Sequence, residues 1–335
     1  MHNKNTIVGE FWRELENDKV QCDLCPRRCQ LQNGQRGFCY VRANQNQQVV
    51  LNSYGLSSGF CIDPIEKKPL NHFYPGTSVL SFGTAGCNLA CKFCQNWDIS
   101  KSREIQTLSA QATPEQIAQS AKRSGCQSVA YTYNDPVIFY EYVKDTAIAF
   151  RELNISSVAV TAGYITNEAR ADFFKYIDAT NVDLKAFSEK FYNKVVGGSL
   201  APVLETLKYL KNHTEVWFEI TTLLIPEEND SEEELQNMTQ WIVENLGNNV
   251  PLHFSAFHPD YKMRQKTHTR LQSLKRAREI AMQNGLHYVY TGNLTNTEGE
   301  TTFCGHCQSP LIIRDRYNIV EWNLQDGHCP KCHNQ

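Results

Sequence analysis

The stretch "SVLSFGTAGCNLACKFCQNW", residues 78–97, joins an apolar strand pattern to a loop carrying Cys87, Cys91 and Cys94 at a C-x3-C-x2-C spacing. Its first part is the earliest of seven apolar strand candidates: 78–84, 128–133, 156–162, 181–186, 215–225, 251–257 and 287–292. Helix signals lie between them, the alternation that builds a parallel sheet with helices outside it. Seven β/α steps in about 215 residues predict an α/β fold, a TIM-like (β/α) barrel that is partial or open. A doubly wound sheet competes with it. In both, ligands gather beyond the C-terminal ends of the strands, where this three-cysteine loop begins.

The helix signals have defined ends. In "TPEQIAQSAKRSG", Thr113 reads as the N-cap, Pro114 as the first helical residue and Gly125 as the stop. In "SEEELQNMTQWIVENLG", Ser231 and Glu234 read as a capping box, with Gly247 closing the helix. Residues 1–75 are polar, turn-rich and cysteine-bearing, and read as an irregular N-terminal cap. Residues 76–298 form the expected barrel core, and residues 299–335 a C-terminal module resembling a zinc ribbon.

The chain has 335 residues, 41% of them hydrophobic and 21% charged, with a formal net charge of −3. Those fractions are globular, and the charge argues against polyanion binding by the whole surface. No apolar run suits a signal peptide or a membrane span, so a cytoplasmic location with no membrane contact is expected.

Thirteen cysteines without a secretory signal point to metal or redox chemistry rather than disulfides. Cys22, Cys25, Cys29 and Cys39 form one set of four, holding zinc or an auxiliary iron–sulfur cluster. Cys304, Cys307, Cys329 and Cys332 form another, C-x2-C-x21-C-x2-C, close to a zinc-ribbon spacing; rubredoxin-like iron is its alternative. Cys61 and Cys126 stand alone. The central three are one ligand short of a closed site, and a four-iron cluster held by three cysteines keeps one iron open for another ligand. Spacing by itself also fits a zinc site borrowing His72, or a metal-free cluster of thiols.

The segment "CNLACKFC", with Phe93 as its aromatic, resembles the signature of the radical S-adenosylmethionine (SAM) superfamily. The blocks "DPIEKKPLNHF", "AYTYNDPVIFYEY", "NVDLKAF", "EITTLLIPEEND", "HFSAFHPDYKM" and "YVYTGN" are similar to the radical enzyme of the AmmeMemoRadiSam system, a group related to pyruvate formate-lyase activating enzymes. The resemblance implies a [4Fe–4S] cluster on Cys87, Cys91 and Cys94. SAM would chelate its open iron, and one electron would cleave SAM to a 5′-deoxyadenosyl radical. It also implies a flavodoxin or ferredoxin as electron donor, and Memo and Ammecr companion proteins.

By the same resemblance, Asn134, Asp135 and Pro136 stand where related enzymes meet the amino end of SAM, although relatives more often carry Glu at the Asp135 position. Asp183 and Lys185 share one strand face and would grip the ribose and carboxylate; an internal ion pair is the alternative. His258, just past a strand end, is the candidate substrate-site residue. Residues 262–278, "KMRQKTHTRLQSLKRAR", hold seven Lys or Arg and no acid. With Arg27, Arg28, Arg36 and Arg42, and if both segments flank the barrel mouth, they suggest an electrostatic footprint for RNA, and so a macromolecular substrate, with alkylation of an RNA base a candidate beside a protein partner. A solvated helix face is the plainer reading of that run. The competing functions are a glycyl-radical enzyme activase, an iron–sulfur electron carrier, and a non-catalytic zinc-ribbon module binding RNA or protein.

Overall fold

The computed structural model describes residues 5–103 and 110–334. Its centre is a nine-stranded sheet. We name β1 (Leu56–Pro64), β2 (Ser78–Gly83), β3 (Ser128–Tyr131), β4 (Ser156–Thr161), β5 (Ala179–Asp183), β6 (Trp217–Leu224), β7 (Leu252–Ala256) and β8 (Val289–Gly292). Strands β2 to β8 run parallel and neighbour one another in sequence order. With no reversal in that order there is no topological switch point, which excludes the doubly wound alternative. Right-handed crossovers then put the helices on one side, as in a barrel. Among the described residues the sheet stays open, because β8 has one neighbour and β2 pairs on its far side with antiparallel β1.

Strand β1 lies in the stretch read as an irregular cap. The remainder of that stretch carries two small antiparallel sheets, of which Val20–Cys22 and Arg42–Gln45 are members. Cap and barrel share one apolar core, in which Val20, Leu31 and Val41 join Phe82, Tyr131 and Phe254. Between them lies an ion pair, Arg42 with Glu141, both nearly inaccessible.

Helices α1 (Pro114–Arg123), α2 (Tyr140–Glu152), α3 (Asn167–Phe174), α4 (Ala201–His213), α5 (Glu232–Leu246) and α6 (Leu271–Gln283) fill the crossovers. The expected Thr113 cap forms a full capping box with Gln116. The Ser231 box is only half formed. Ser231 accepts from Glu234 N at 3.3 Å, but the Glu234 carboxylate accepts from Phe187 N at 2.7 Å instead of turning back to the cap. A part-buried amide on the neighbouring loop competes more strongly for that carboxylate than the exposed cap does.

The tail folds as three short antiparallel strands and docks through Arg314. This fully buried guanidinium reaches Glu66, the carbonyls of Asn71 and Glu300, and Thr302. Among the described residues no helix is long and apolar enough to cross a membrane.

Candidate active site

Gly83 ends β2, and the chain turns sharply through Gly86 at φ +87° into the cysteine loop. A Cβ on Gly86 would collide with the Cys39 carbonyl, so cap and loop approach as closely as glycine permits. The loop is then pinned along its length. Ala90 N and Lys92 N donate to Val196 O and Val195 O at 2.8 and 2.9 Å, and Lys101 Nζ donates to Leu89 O at 2.6 Å. Cys91 is buried, with Cys87 and Cys94 partly so. Burial pushes the Cys91 thiol up to about 12, against the Lys185 ammonium that opposes the shift. Burial also raises Cys87, against Lys101. Thiolate ligation would offset that desolvation, and three soft donors in a cationic setting fit an iron–sulfur group with an open position. Phe93 is buried and packs 6.0 Å from the Phe191 ring, so its side chain helps anchor the loop.

The turn after β3 occupies the neighbouring strand end. Asn134 donates to Gly86 O at 2.9 Å and Thr84 Oγ1 at 3.1 Å, which ties it to the cysteine loop. Asp135 accepts from Val137 N, Thr161 Oγ1 and Ala162 N at 3.0–3.1 Å. Burial lifts this carboxyl to about 6, against those donors and Lys185. Pro136 opens the following turn of 3₁₀ helix. The Asp135 side chain is thus occupied in joining two turns, and this turn offers a ligand backbone rather than a free carboxylate. Across the mouth, Lys185 Nζ donates to Asp183 Oδ2 at 2.5 Å. Burial tends to neutralise that lysine, but Asp183 more than offsets it and keeps the ammonium charged. Cys91, Asp135 and Lys185 therefore share one electrostatic neighbourhood at the strand ends.

His258 is exposed, and its Nδ1 accepts from Gln95 Nε2 at 2.9 Å, which places it directly beside the cysteine loop. Both residues line a cavity of about 570 Å³ between the last strands and the tail. Glu66, Asn71, Ser255, Tyr290, Glu300 and Arg316 contribute to its walls. His253 lines it as well, and its Nε2 lies 2.6 Å from Glu219 Oε2. The fully buried Glu219 also accepts from Asn71 N, His72 N and Trp217 Nε1. Sequence reading missed Glu219. Its signal was a lone carboxylate inside the apolar run of a strand, on the same face as Thr221.

The two outer cysteine sets differ. Cys304, Cys307, Cys329 and Cys332 bring their sulfurs within 4.8 Å of one another, and among the described residues they are the one such group. Their separations of 3.5 Å (Cys304 to Cys332) and 3.6 Å (Cys307 to Cys329) suit four thiolates about 2.3 Å from one ion. Cys22, Cys25, Cys29 and Cys39 instead surround a small cavity.

Three of the seven cations of the basic run have acidic partners. Lys266 pairs with Glu228 at 2.8 Å, Arg278 with Glu298 at 3.1 Å, and Arg276 approaches Asp230 and Glu232 at 4.0 Å. In the cap, Arg28 pairs with Asp23 and Glu168, Arg42 with Glu141, and Arg27 and Arg36 donate to backbone carbonyls. Acids elsewhere in the chain thus pair with Lys266, Arg276 and Arg278 of the run and with Arg28 and Arg42 of the cap.

The sequence pattern described as the Radical SAM superfamily matches residues 82–239. The chain is 40% identical to Uncharacterized protein MJ0808 of Methanocaldococcus jannaschii over 96% of both chains. It is 22% identical to the pyruvate formate-lyase 1-activating enzyme of Escherichia coli strain K12, over 55% of this chain and 75% of that one. A radical SAM methyltransferase from Sphaerobacter thermophilus has a similar fold, with a TM-score of 0.52 at 12% identity, covering 87% of this chain and 78% of that one. An open parallel sheet with three cysteines beyond its first parallel strand, matched by that pattern and by these relatives, makes the chain a radical SAM enzyme with homology to the activases of pyruvate formate-lyase.

Proposed function

We propose that Cys87, Cys91 and Cys94 hold the [4Fe–4S] cluster and that SAM lies across the ends of β2 to β5, between the Asn134–Pro136 turn and the Asp183–Lys185 pair. The observation that carries this reading is the convergence of Cys91, Asp135 and Lys185 on one strand-end neighbourhood. When bound, the cluster supplies the electron that cleaves SAM to methionine and a 5′-deoxyadenosyl radical. The chain's own residues position and enclose. Asn134 fixes the cysteine loop against its neighbour, Lys185 offers a charged donor to a carboxylate or hydroxyl, and the loop's backbone ties hold the three thiols in place.

The substrate enters the cavity of about 570 Å³, with His258 and Gln95 at its cluster end. The block "DPIEKKPLNHF" supplies Glu66, Lys67, Pro69 and Asn71 to the cavity wall, which supports a role like that of the AmmeMemoRadiSam radical enzymes. A lining of mixed charge, with Lys266, Arg276 and Arg278 of the basic run already paired with acids, favours a protein segment over RNA and hydrogen abstraction of the activase kind. Memo and Ammecr proteins, and a flavodoxin or ferredoxin as electron donor, are the partners this reading calls for, in the cytoplasm. The tail tetrahedron holds structural zinc, as expected for four thiolates with no open position.

The test is anaerobic reconstitution with iron and sulfide, followed by dithionite and SAM. The intact chain should release 5′-deoxyadenosine, whereas Cys87→Ala, Cys91→Ala and Cys94→Ala should each lose iron and product with zinc unchanged. Full iron and turnover in all three variants would overturn the assignment. Salt-dependent RNA binding with a modified base as product would replace the protein substrate by RNA.

A further inference from the structure

We propose that Cys22, Cys25, Cys29 and Cys39 ligate a second iron–sulfur cluster of the [4Fe–4S] type, seated against the loop of the first. Two four-cysteine sets occur in this structure, and they differ in a way that separates one metal ion from several. The tail sulfurs close to 3.5 and 3.6 Å, the spacing of four thiolates around a single ion. Among the described residues the cap sulfurs form no such close group, and all four line one cavity. Thiolates at the corners of a multi-iron core must stand apart around a hollow. Those of a single tetrahedral ion must not.

The cavity's other walls suit such a group. Leu24, Val137 and Ile138 are buried and shield it from water. Arg27 also lines it, adding a cation beside an anionic cluster, and is held there by a hydrogen bond to Asn88 O at 2.8 Å and by one to Gly197 O. Asn88 itself lines the cavity, and it follows Cys87 in the chain. On the other flank of Cys87, Gly86 meets the Cys39 carbonyl. The walls of the two sites are therefore continuous, and two reduced clusters placed there would sense each other's electron spin. This proximity rests on the assignment of Cys87, Cys91 and Cys94 above; the metal content of the cap does not.

The intact chain, reconstituted anaerobically with iron, sulfide and zinc, should bind about eight iron atoms. The Cys87→Ala/Cys91→Ala/Cys94→Ala variant should retain about half, with a [4Fe–4S] Mössbauer signature. A Cys29→Ser/Cys39→Ser variant should lose the other half. Dithionite adds one electron to each cluster, and the resulting paramagnetic resonance lines of the intact chain should be broadened relative to those of either variant. Only about four irons in the intact chain, all lost from the triple variant, with zinc bound in both outer cysteine sets, would overturn the proposal while leaving the radical site standing. Iron lost only with the cap cysteines would overturn the radical-site assignment and keep this one.

Discussion

The Lys185 ammonium lies 2.5 Å from Asp183 Oδ2, two residues away on the same face, and the same charge bears on the Cys91 thiol of the metal loop. The pair therefore binds within itself and also faces the strand ends. It is partly accessible, with 17% and 29% of the two side chains exposed, and so is available to a polar ligand. Lys185→Met and Asp183→Asn should leave the cluster's absorbance intact and weaken SAM binding by about 1.5–3 kcal/mol, the worth of a hydrogen bond to a charged group. Equilibrium binding to reconstituted protein checks this, and unchanged affinity would reduce the pair to an internal strut.

Stability should fall in acid through two neighbouring groups. Burial alone would raise Glu219, but His253 and the backbone donors around it hold the carboxyl down at about 2. Its contribution is present above the unfolded value and is lost as pH falls through about 2. Burial lowers His72 to about 4, so the folded chain binds fewer protons than the unfolded one between that value and the ordinary 6.5. Stability in that window rises with pH. Urea titrations from pH 7 to pH 4 should show a declining midpoint, and His72→Gln should flatten the decline. Parallel curves for the two proteins would contradict this account.

Glu141→Ala should cost about 3–5 kcal/mol, because it leaves the buried Arg42 charge without its partner. Replacing both residues together, as Arg42→Met with Glu141→Leu, should recover much of that loss. Denaturant midpoints of the two variants decide it, and a double variant no better than the single one would show that packing, not charge, is at stake.

Cys329→Ser should remove one zinc per chain and increase hydrogen exchange in residues 302–334, while iron content stays at the intact level. Metal analysis with exchange mass spectrometry reads both quantities. Unchanged zinc would mean that three sulfurs of the tail suffice.

Arg276→Glu with Arg278→Glu should reduce stability by about 1 kcal/mol or less per broken surface pair. The same variant should leave any RNA binding, measured as a function of salt, as weak as that of the intact chain. A steep salt slope in the intact chain that the variant flattens would restore the RNA footprint.

The seven parallel strands could be read from sequence because each is a short apolar run bounded by turn residues. Thr113 and Gly125 likewise marked their helix ends. Strand β1 escaped because "LSSGFCIDP" runs through two serines and a glycine after Leu56, has an exposed centre, and owes its conformation to pairing with β2. The partial charge balance of residues 262–278, at Lys266, Arg276 and Arg278, was illegible for a related reason. Its partners, Glu228, Asp230, Glu232 and Glu298, belong to other elements and meet it only after folding. Glu219 also depends on neighbours, since a carboxylate on a strand becomes a buried anchor only once His253 arrives from the next strand.

Arg314 clamps the tail to Glu66 and the Asn71 carbonyl, and two residues later the same strand pair contributes Arg316 and Tyr317 to the cavity wall. The tail thus forms one jamb of the proposed substrate doorway, and the zinc proposed for its four thiolates would brace that jamb. Stripping that ion should alter which molecules can enter before it alters how the radical is made.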